Sequence, residues 1–176
     1  DAIVGGMVSA HFNRLAPHDD EAEVLRGGML LSYGLHREAG EVFARLIERN
    51  APPAVRDRAW YFLAKIRYQR GLIAEAREAL DKVSGKLPGE LEEERLLLAA
   101  QIRMAGADYA GAAELLKDIK PGPTSASQYA RFNLGVALVR LGEPQRGNQL
   151  LDDLGKAPVT GEEMKSLRDR ANVALG

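Results

Sequence analysis

Apolar residues recur along the chain every three or four residues, and charged residues fill the positions between them. Before Gly71 the apolar positions are Ala59, Trp60, Leu63, Ala64 and Ile66. After Gly71 a second apolar stripe is formed by Ile73, Ala76, Ala79, Leu80 and Val83. This period predicts amphipathic helices, because a strand would alternate at every second residue. No segment has the strand pattern, so the sequence predicts an all-α fold.

The same arrangement of small and large residues occurs four times. Each copy has a small residue, four spacers, a second small residue, three spacers and a large apolar residue. The copies occupy 34–43, 71–80, 107–116 and 142–151, and their first residues lie 37, 36 and 35 positions apart. A period close to these values is typical of stacked helix pairs.

Helix breakers separate four predicted helix pairs, which together span 20–156. Proline and glycine cluster at 50–53, 84–89, 120–123 and 157–158, where they end one helix and allow the next to begin. The predicted pairs are 20–33 with 37–49, 54–70 with 73–84, 90–105 with 108–119, and 125–141 with 144–154. The short turn inside each pair requires its two helices to run antiparallel.

The two ends of the chain depart from the paired pattern. Residues 1–14 contain one predicted helix, whose apolar residues are Ile3, Val4, Met7, Val8 and Phe12, and it has no partner helix. We interpret it as an unpaired helix from an incomplete repeat and the chain, which begins at Asp1, as a fragment of a longer protein. Residues 160–175 open with a capping-box sequence and predict a C-terminal capping helix or the start of a further repeat.

Composition excludes several classes of function. The net charge is −1, whereas binding to nucleic acid or an anionic membrane surface requires an excess of basic residues. No cysteine is present, which excludes disulfides, thiolate chemistry and cysteine-ligated zinc. No segment approaches the roughly 20 apolar residues that a membrane span requires, so we expect no membrane insertion.

Motifs for catalysis, phosphate binding or metal binding are absent from the sequence. His18–Asp20 is compatible with a metal site or with a polar loop in which Asp20 caps a helix. We favour the loop, because no second histidine lies at a helical spacing from His18. The acidic run 92–94 suits the first turn of a helix. We therefore predict no metal, no cofactor and no enzymatic activity.

The repeated residues resemble the tetratricopeptide repeat family. That repeat has a bulky, a large apolar and a small residue in its first helix, glycine at the turn, and small and large residues in its second helix. The second pair matches best, with Trp60, Leu63, Ala64, Gly71, Ala76, Leu80, Val83 and Pro88 in order. The resemblance covers about 20–156. It implies a right-handed superhelical solenoid of stacked antiparallel helix pairs of the tetratricopeptide-repeat type. The abundance of Arg, Ala, Gly and Leu separately indicates a bacterial protein from a GC-rich genome.

The resemblance also implies a concave groove lined by the first helix of each pair. By position, its residues are Arg58, Tyr61, Lys65, Tyr68 and Gln69 in the second pair, Glu94, Leu97, Gln101 and Met104 in the third, and Tyr129, Phe132, Val136 and Arg140 in the fourth. Aromatic and arginine side chains are what peptide-binding surfaces use. Trp60 is expected in the core instead, at the family's bulky position.

The function implied is that of a non-catalytic scaffold or adaptor, which binds a peptide or helix of a partner protein in the groove. One alternative is a structural span of a longer solenoid, which self-associates through its N-terminal helix or assembles in a cell-envelope complex. Another is an accessory subunit of an enzyme. The compartment stays open. It would be the periplasm if a signal sequence precedes Asp1 and the cytoplasm otherwise.

Overall fold

A computed structural model describes residues 19–155, and every regular element in this range is a helix. The eight helices are α1 (19–32), α2 (His36–Glu48), α3 (Pro53–Gln69), α4 (Ile73–Asp81), α5 (Glu90–Ala105), α6 (Tyr109–Leu116), α7 (Ser125–Arg140) and α8 (Pro144–Gly155). The predicted all-α character is confirmed. The predicted helices at 1–14 and 160–175 lie outside the described residues.

The chain divides into two compact units, Asp1–Lys86 and Leu87–Gly176. In the first unit, α2 packs on α3 and α3 packs on α4. In the second unit, α5 packs on both α6 and α7, α6 packs on α7, and α7 packs on α8. No helix within 19–155 is long and apolar enough to cross a membrane.

Four turns of three residues share one backbone geometry. The middle residue of each turn is left-handed, with φ of 79° at Gly34, 80° at Gly71, 61° at Ala107 and 86° at Gly142. The next residue donates its amide to a carbonyl five positions earlier, and the same bond closes all four turns at 2.8–2.9 Å. This bond pattern ends a helix and reverses the chain. Each turn therefore joins two successive helices into a hairpin.

A pair of small, buried residues twelve positions apart occurs in every hairpin. The pairs are Gly27 and Ala39, Ala64 and Ala76, Ala100 and Ala112, and Gly135 and Gly147. In the hairpin of α7 and α8, a methyl group added at Gly147 would lie 2.5 Å from the carbonyl oxygen of Gly135. Without side chains between them, the two backbones can come close together.

Large residues fill the space on either side of these small ones. Phe43, Leu80, Leu116 and Leu151 each lie four positions after the second small residue of their hairpin, and all are buried. In the first unit the Phe43 ring stacks on Phe62, with centroids 4.9 Å apart. In the second unit Leu116 joins a cluster with Ala100 and Ala112. Small and large residues together give each hairpin a close-packed core.

Helix α1 packs on the first unit through apolar residues, among them the buried Val24, and is also held by ion pairs. A methyl group added at Gly27 would meet the Phe43 ring at 2.6 Å, so α1 lies directly on α2. Asp20 pairs with Arg49, and Glu21 pairs with Arg58 of α3. One side of α1 therefore faces the other helices of its unit.

The left-handed alanine at position 107 yields a stability prediction. An L-residue with a side chain is strained at this φ, whereas glycine is not. We expect Ala107→Gly to raise the free energy of unfolding by about 1 kcal/mol. The matched control is Ala113→Gly inside α6, which should lower it by about 1 kcal/mol because glycine is a poor helix former. Urea unfolding measures both, and an equal loss for the two variants would contradict the turn geometry.

Candidate functional site

Tyr61 is a core residue, and its predicted place in an exposed groove is corrected. Its side chain is only 2% exposed, and its ring meets the Phe62 ring edge-on at 5.1 Å. Tyr61 stands three positions before Ala64, so the two residues share one side of α3. Tyr61 is therefore buried in the same region of the core as Ala64. Trp60, which was expected in the core, is half-buried.

Phe132 is corrected in the same way. It is 9% exposed and forms a core cluster with Leu151 and Leu154 of α8. Phe132 stands three positions before Gly135, as Tyr61 stands three before Ala64. In both hairpins the residue at this position packs into the core, so it is not available to a partner.

The other predicted residues of the first unit lie along α3 at the surface. Arg58, Lys65 and Tyr68 are half-buried, and Gln69 is exposed. Arg58 is held by Glu21 of α1 and donates from Nε to the carbonyl of Ala54 at 3.2 Å. The Gln69 carboxamide oxygen lies 2.9 Å from His36 Nε2. This part of α3 combines positive charge, a phenol ring and an amide.

In the second unit, the predicted residues lie on two neighbouring helices. Because α5 packs directly on α7, side chains on their accessible sides can be contacted together. We define the α5–α7 face by its partly accessible residues Gln101, Met104, Tyr129, Val136 and Arg140. All five were predicted to line the groove, and all except Val136 were predicted to contact a partner.

The apolar residues of the α5–α7 face pack against buried core clusters. Tyr129 and Val136 pack against the cluster of Phe132, Leu151 and Leu154. Met104 packs against the cluster that contains Leu116. The Tyr129 carbonyl also accepts a hydrogen bond from the Asn133 side-chain nitrogen at 2.8 Å. These side chains are therefore partly ordered before any partner binds.

Arg140 is the exposed cation of the α5–α7 face. It is the last residue of α7, and its guanidinium carbon lies 5.8 Å from the ring centroid of Tyr109. A cation over an aromatic ring at an exposed site contributes about 0.5–1 kcal/mol. Tyr109 was not predicted as a site residue. The 3.6-residue period does not predict a role for Tyr109, because Tyr109 is the first residue of α6 and directly follows the turn.

Ionisable groups elsewhere form surface ion pairs. The Lys117 ammonium donates to Glu114 at 2.6 Å, and this hydrogen bond raises the pKa of Lys117. A lysine with a raised pKa keeps its charge at neutral pH. Within residues 19–155 no group of three or more histidine, aspartate or glutamate side chains is placed to hold a metal ion.

Comparisons of the chain with protein-family models, with curated proteins and with solved structures find no match. The α5–α7 face is therefore interpreted from its own geometry. What that geometry offers is a set of partly accessible aromatic, thioether, amide and guanidinium groups on two adjacent helices.

The burial of Tyr61 can be tested against Tyr68, which is half-buried seven positions later on α3. We expect Tyr61→Ala to lower the free energy of unfolding by roughly 3–5 kcal/mol, because removal of a buried ring leaves a cavity. Tyr68→Ala should cost about 1 kcal/mol, because its ring remains partly solvated. Urea unfolding measures both values. A loss for Tyr61→Ala as small as the value of about 1 kcal/mol expected for Tyr68→Ala would show that Tyr61 is a surface residue.

Proposed function

We propose that this chain is a tetratricopeptide-type solenoid and acts as a non-catalytic scaffold for a partner protein. The fourfold recurrence of small residues twelve positions apart, with a left-handed turn between them, supports the solenoid. A helix hairpin cannot bury all of its apolar surface alone, so stacking against neighbours completes the core. Packing of α6 and α7 across the link between two hairpins supports such stacking in the second unit.

The direct packing of α5 on α7 carries the functional proposal. These are the first helices of consecutive hairpins, and they contribute to the same face. An extended peptide or a helix of the partner protein would lie along this face and contact both helices. Tyrosine, methionine and arginine are enriched at protein interfaces relative to the rest of the surface, and all three are present here.

Pre-ordering of the side chains favours binding to this face. A partner loses less conformational entropy on association when the residues that it contacts already hold a defined position. Tyr129 and Met104 pack on buried clusters, and Arg140 is oriented by Tyr109. In the proposed complex, Tyr129 and Met104 supply apolar contact, and Arg140 pairs with a carboxylate of the partner.

The surface of α3 in the first unit is a second contact region of the same kind. It contributes Arg58, Lys65, Tyr68 and Gln69, all of which retain some solvent exposure. Each repeat of a solenoid adds its contacts largely independently. The affinity for a long partner segment would then increase with the number of hairpins that it contacts.

A charge reversal at Arg140 tests the proposal, and Arg146 provides the matched control. Both are exposed arginines of the second unit, but Arg146 lies on α8 and pairs with Glu143 at 3.2 Å. We expect the parent chain to capture a partner protein from extracts of its own organism. Arg140→Glu should weaken the affinity for that protein about tenfold or more, as loss of a central interface arginine does. Arg146→Glu should leave it unchanged.

The affinities are measured by titration of the captured protein, after thermal unfolding has shown that both variants remain folded. Equal affinity of Arg140→Glu and the parent chain would contradict the role of the α5–α7 face. Equal weakening by both variants would show that attraction is governed by overall charge and not by this face.

A further inference from the structure

The links between hairpins are held in place by the first turns of the helices beside them. Each hairpin is closed by its turn at one end, and a link leaves its second helix at the other end, where its first helix begins. The links are 49–52, 82–89 and 117–124. Each contains one buried apolar residue, and these are Ala51, Leu87 and Ile119. Polar contacts hold each link beside its buried residue.

One set of polar contacts reaches back from a first helix to the link that precedes it. The residues eight positions before the first small residue of the hairpin are Arg56, Glu92 and Ser127. Arg56 donates from Nη1 to Oδ1 of Asn50 at 3.0 Å. The Glu92 carboxylate accepts the Leu87 amide at 2.9 Å, and the Ser127 hydroxyl donates to the Gly122 carbonyl at 2.6 Å. In all three, the link residue stands two positions before the helix N-cap.

A second set of polar contacts reaches forward to the link that follows the hairpin. The residues seven positions before the same small residue are Asp20, Asp57 and Glu93. Asp57 Oδ1 accepts the amide and the hydroxyl of Ser84, both at 3.0 Å. Glu93 Oε2 accepts the Thr124 hydroxyl at 3.2 Å, and Asp20 pairs with Arg49. A carboxylate at this position therefore holds the following link in three hairpins.

We propose that these two adjacent positions form a polar joint, which fixes the link between two hairpins from both sides. In the first unit, Asp20 of α1 and Arg56 of α3 hold the link 49–52. In the second unit, Glu93 of α5 and Ser127 of α7 hold the link 117–124. The residue types at the first position differ, and so do the groups that they bind. What recurs is the position, which indicates a common role.

In the second unit the joint connects the two helices of the α5–α7 face. Thr124 is the N-cap of α7, and its hydroxyl also accepts the Ser127 amide at 3.1 Å. Through Glu93, α5 therefore holds the cap of α7 directly. Tyr129 lies five positions after this cap, so the joint positions it against α5. Glu93 and Thr124 are thus positioning residues, and the joint exists whether or not a partner binds the face.

The joint opens more readily than the hairpins that it connects. Glu93 and Thr124 are only partly buried, whereas the hairpin cores consist of close-packed apolar residues. One hydrogen bond of this kind shifts an opening equilibrium by about twofold to tenfold. Local opening of a weakly held element leaves the better packed elements folded. The start of α7 can therefore separate from α5 while both cores persist.

A single introduced thiol measures this opening, because the chain contains no cysteine. Ile119→Cys places the thiol at the buried residue of the link 117–124. We expect Glu93→Ala to raise its rate of reaction with a thiol reagent about fivefold, because reaction requires local opening. The matched control is Glu90→Ala, which removes an exposed carboxylate from the same helical turn. It should leave the rate unchanged.

A double-mutant cycle assigns the effect to the joint. Thr124→Ala removes the hydroxyl that Glu93 accepts, so Glu93→Ala should cause less than about a twofold further increase in that background. Three results would overturn the proposal. They are an unchanged rate in Glu93→Ala, an equal acceleration by Glu90→Ala, and an equal effect of Glu93→Ala with and without Thr124.

Spin labels measure the positioning role separately from stability. The labels are attached at Glu90→Cys on α5 and Ser125→Cys on α7, both at exposed positions near the joint. We expect Glu93→Ala to broaden the distribution of distances between the labels. Glu93→Gln should restore the narrow distribution, because its amide oxygen can still accept the Thr124 hydroxyl. A distribution in Glu93→Ala as narrow as in the parent, or one that Glu93→Gln leaves equally broad, would overturn the proposal.

Discussion

The close approach of two helices at small residues is the constraint on which each hairpin depends. Between α7 and α8 this approach leaves no space for a methyl group at Gly147, which would meet backbone atoms of α7. The same spacing of twelve positions recurs in all four hairpins, with a left-handed turn residue between the two small ones. Large residues one turn further along, such as Phe43 and Leu151, then fill the remaining volume.

The close approach of the two helices also determines which side chains of the first helix stay accessible. Tyr61 and Phe132 each stand three positions before the first small residue of their hairpin, on the same side of the helix, and both pack into the core. Residues on the other sides of α5 and α7, including Tyr129 and Arg140, stay accessible. The proposed interaction surface is therefore what remains of the first helices after the hairpin and its neighbours have packed.

The helices and turns could be predicted from the sequence because their causes are local: a 3.6-residue period and small residues at reversals. The burial of Tyr61 and the partial exposure of Trp60 could not be predicted from the sequence. Adjacent residues on a helix point about 100° apart. Because α3 packs on both α2 and α4, its sequence has no single polar side that would show which of the two residues is buried. The contact of Arg140 with Tyr109 joins two separate helices, and no local pattern encodes it.

Substitution of Gly147 by alanine, compared with the same change at Gly40, tests the close crossing most directly. Both glycines lie inside helices, but a methyl group at Gly40 would meet no atom within 4 Å. The measurement is the free energy of unfolding in urea. We predict that Gly147→Ala lowers it by roughly 1–3 kcal/mol through overpacking, and that Gly40→Ala raises it by about 0.5–1 kcal/mol through helix propensity. Stabilisation by both substitutions would contradict the close crossing of α7 and α8.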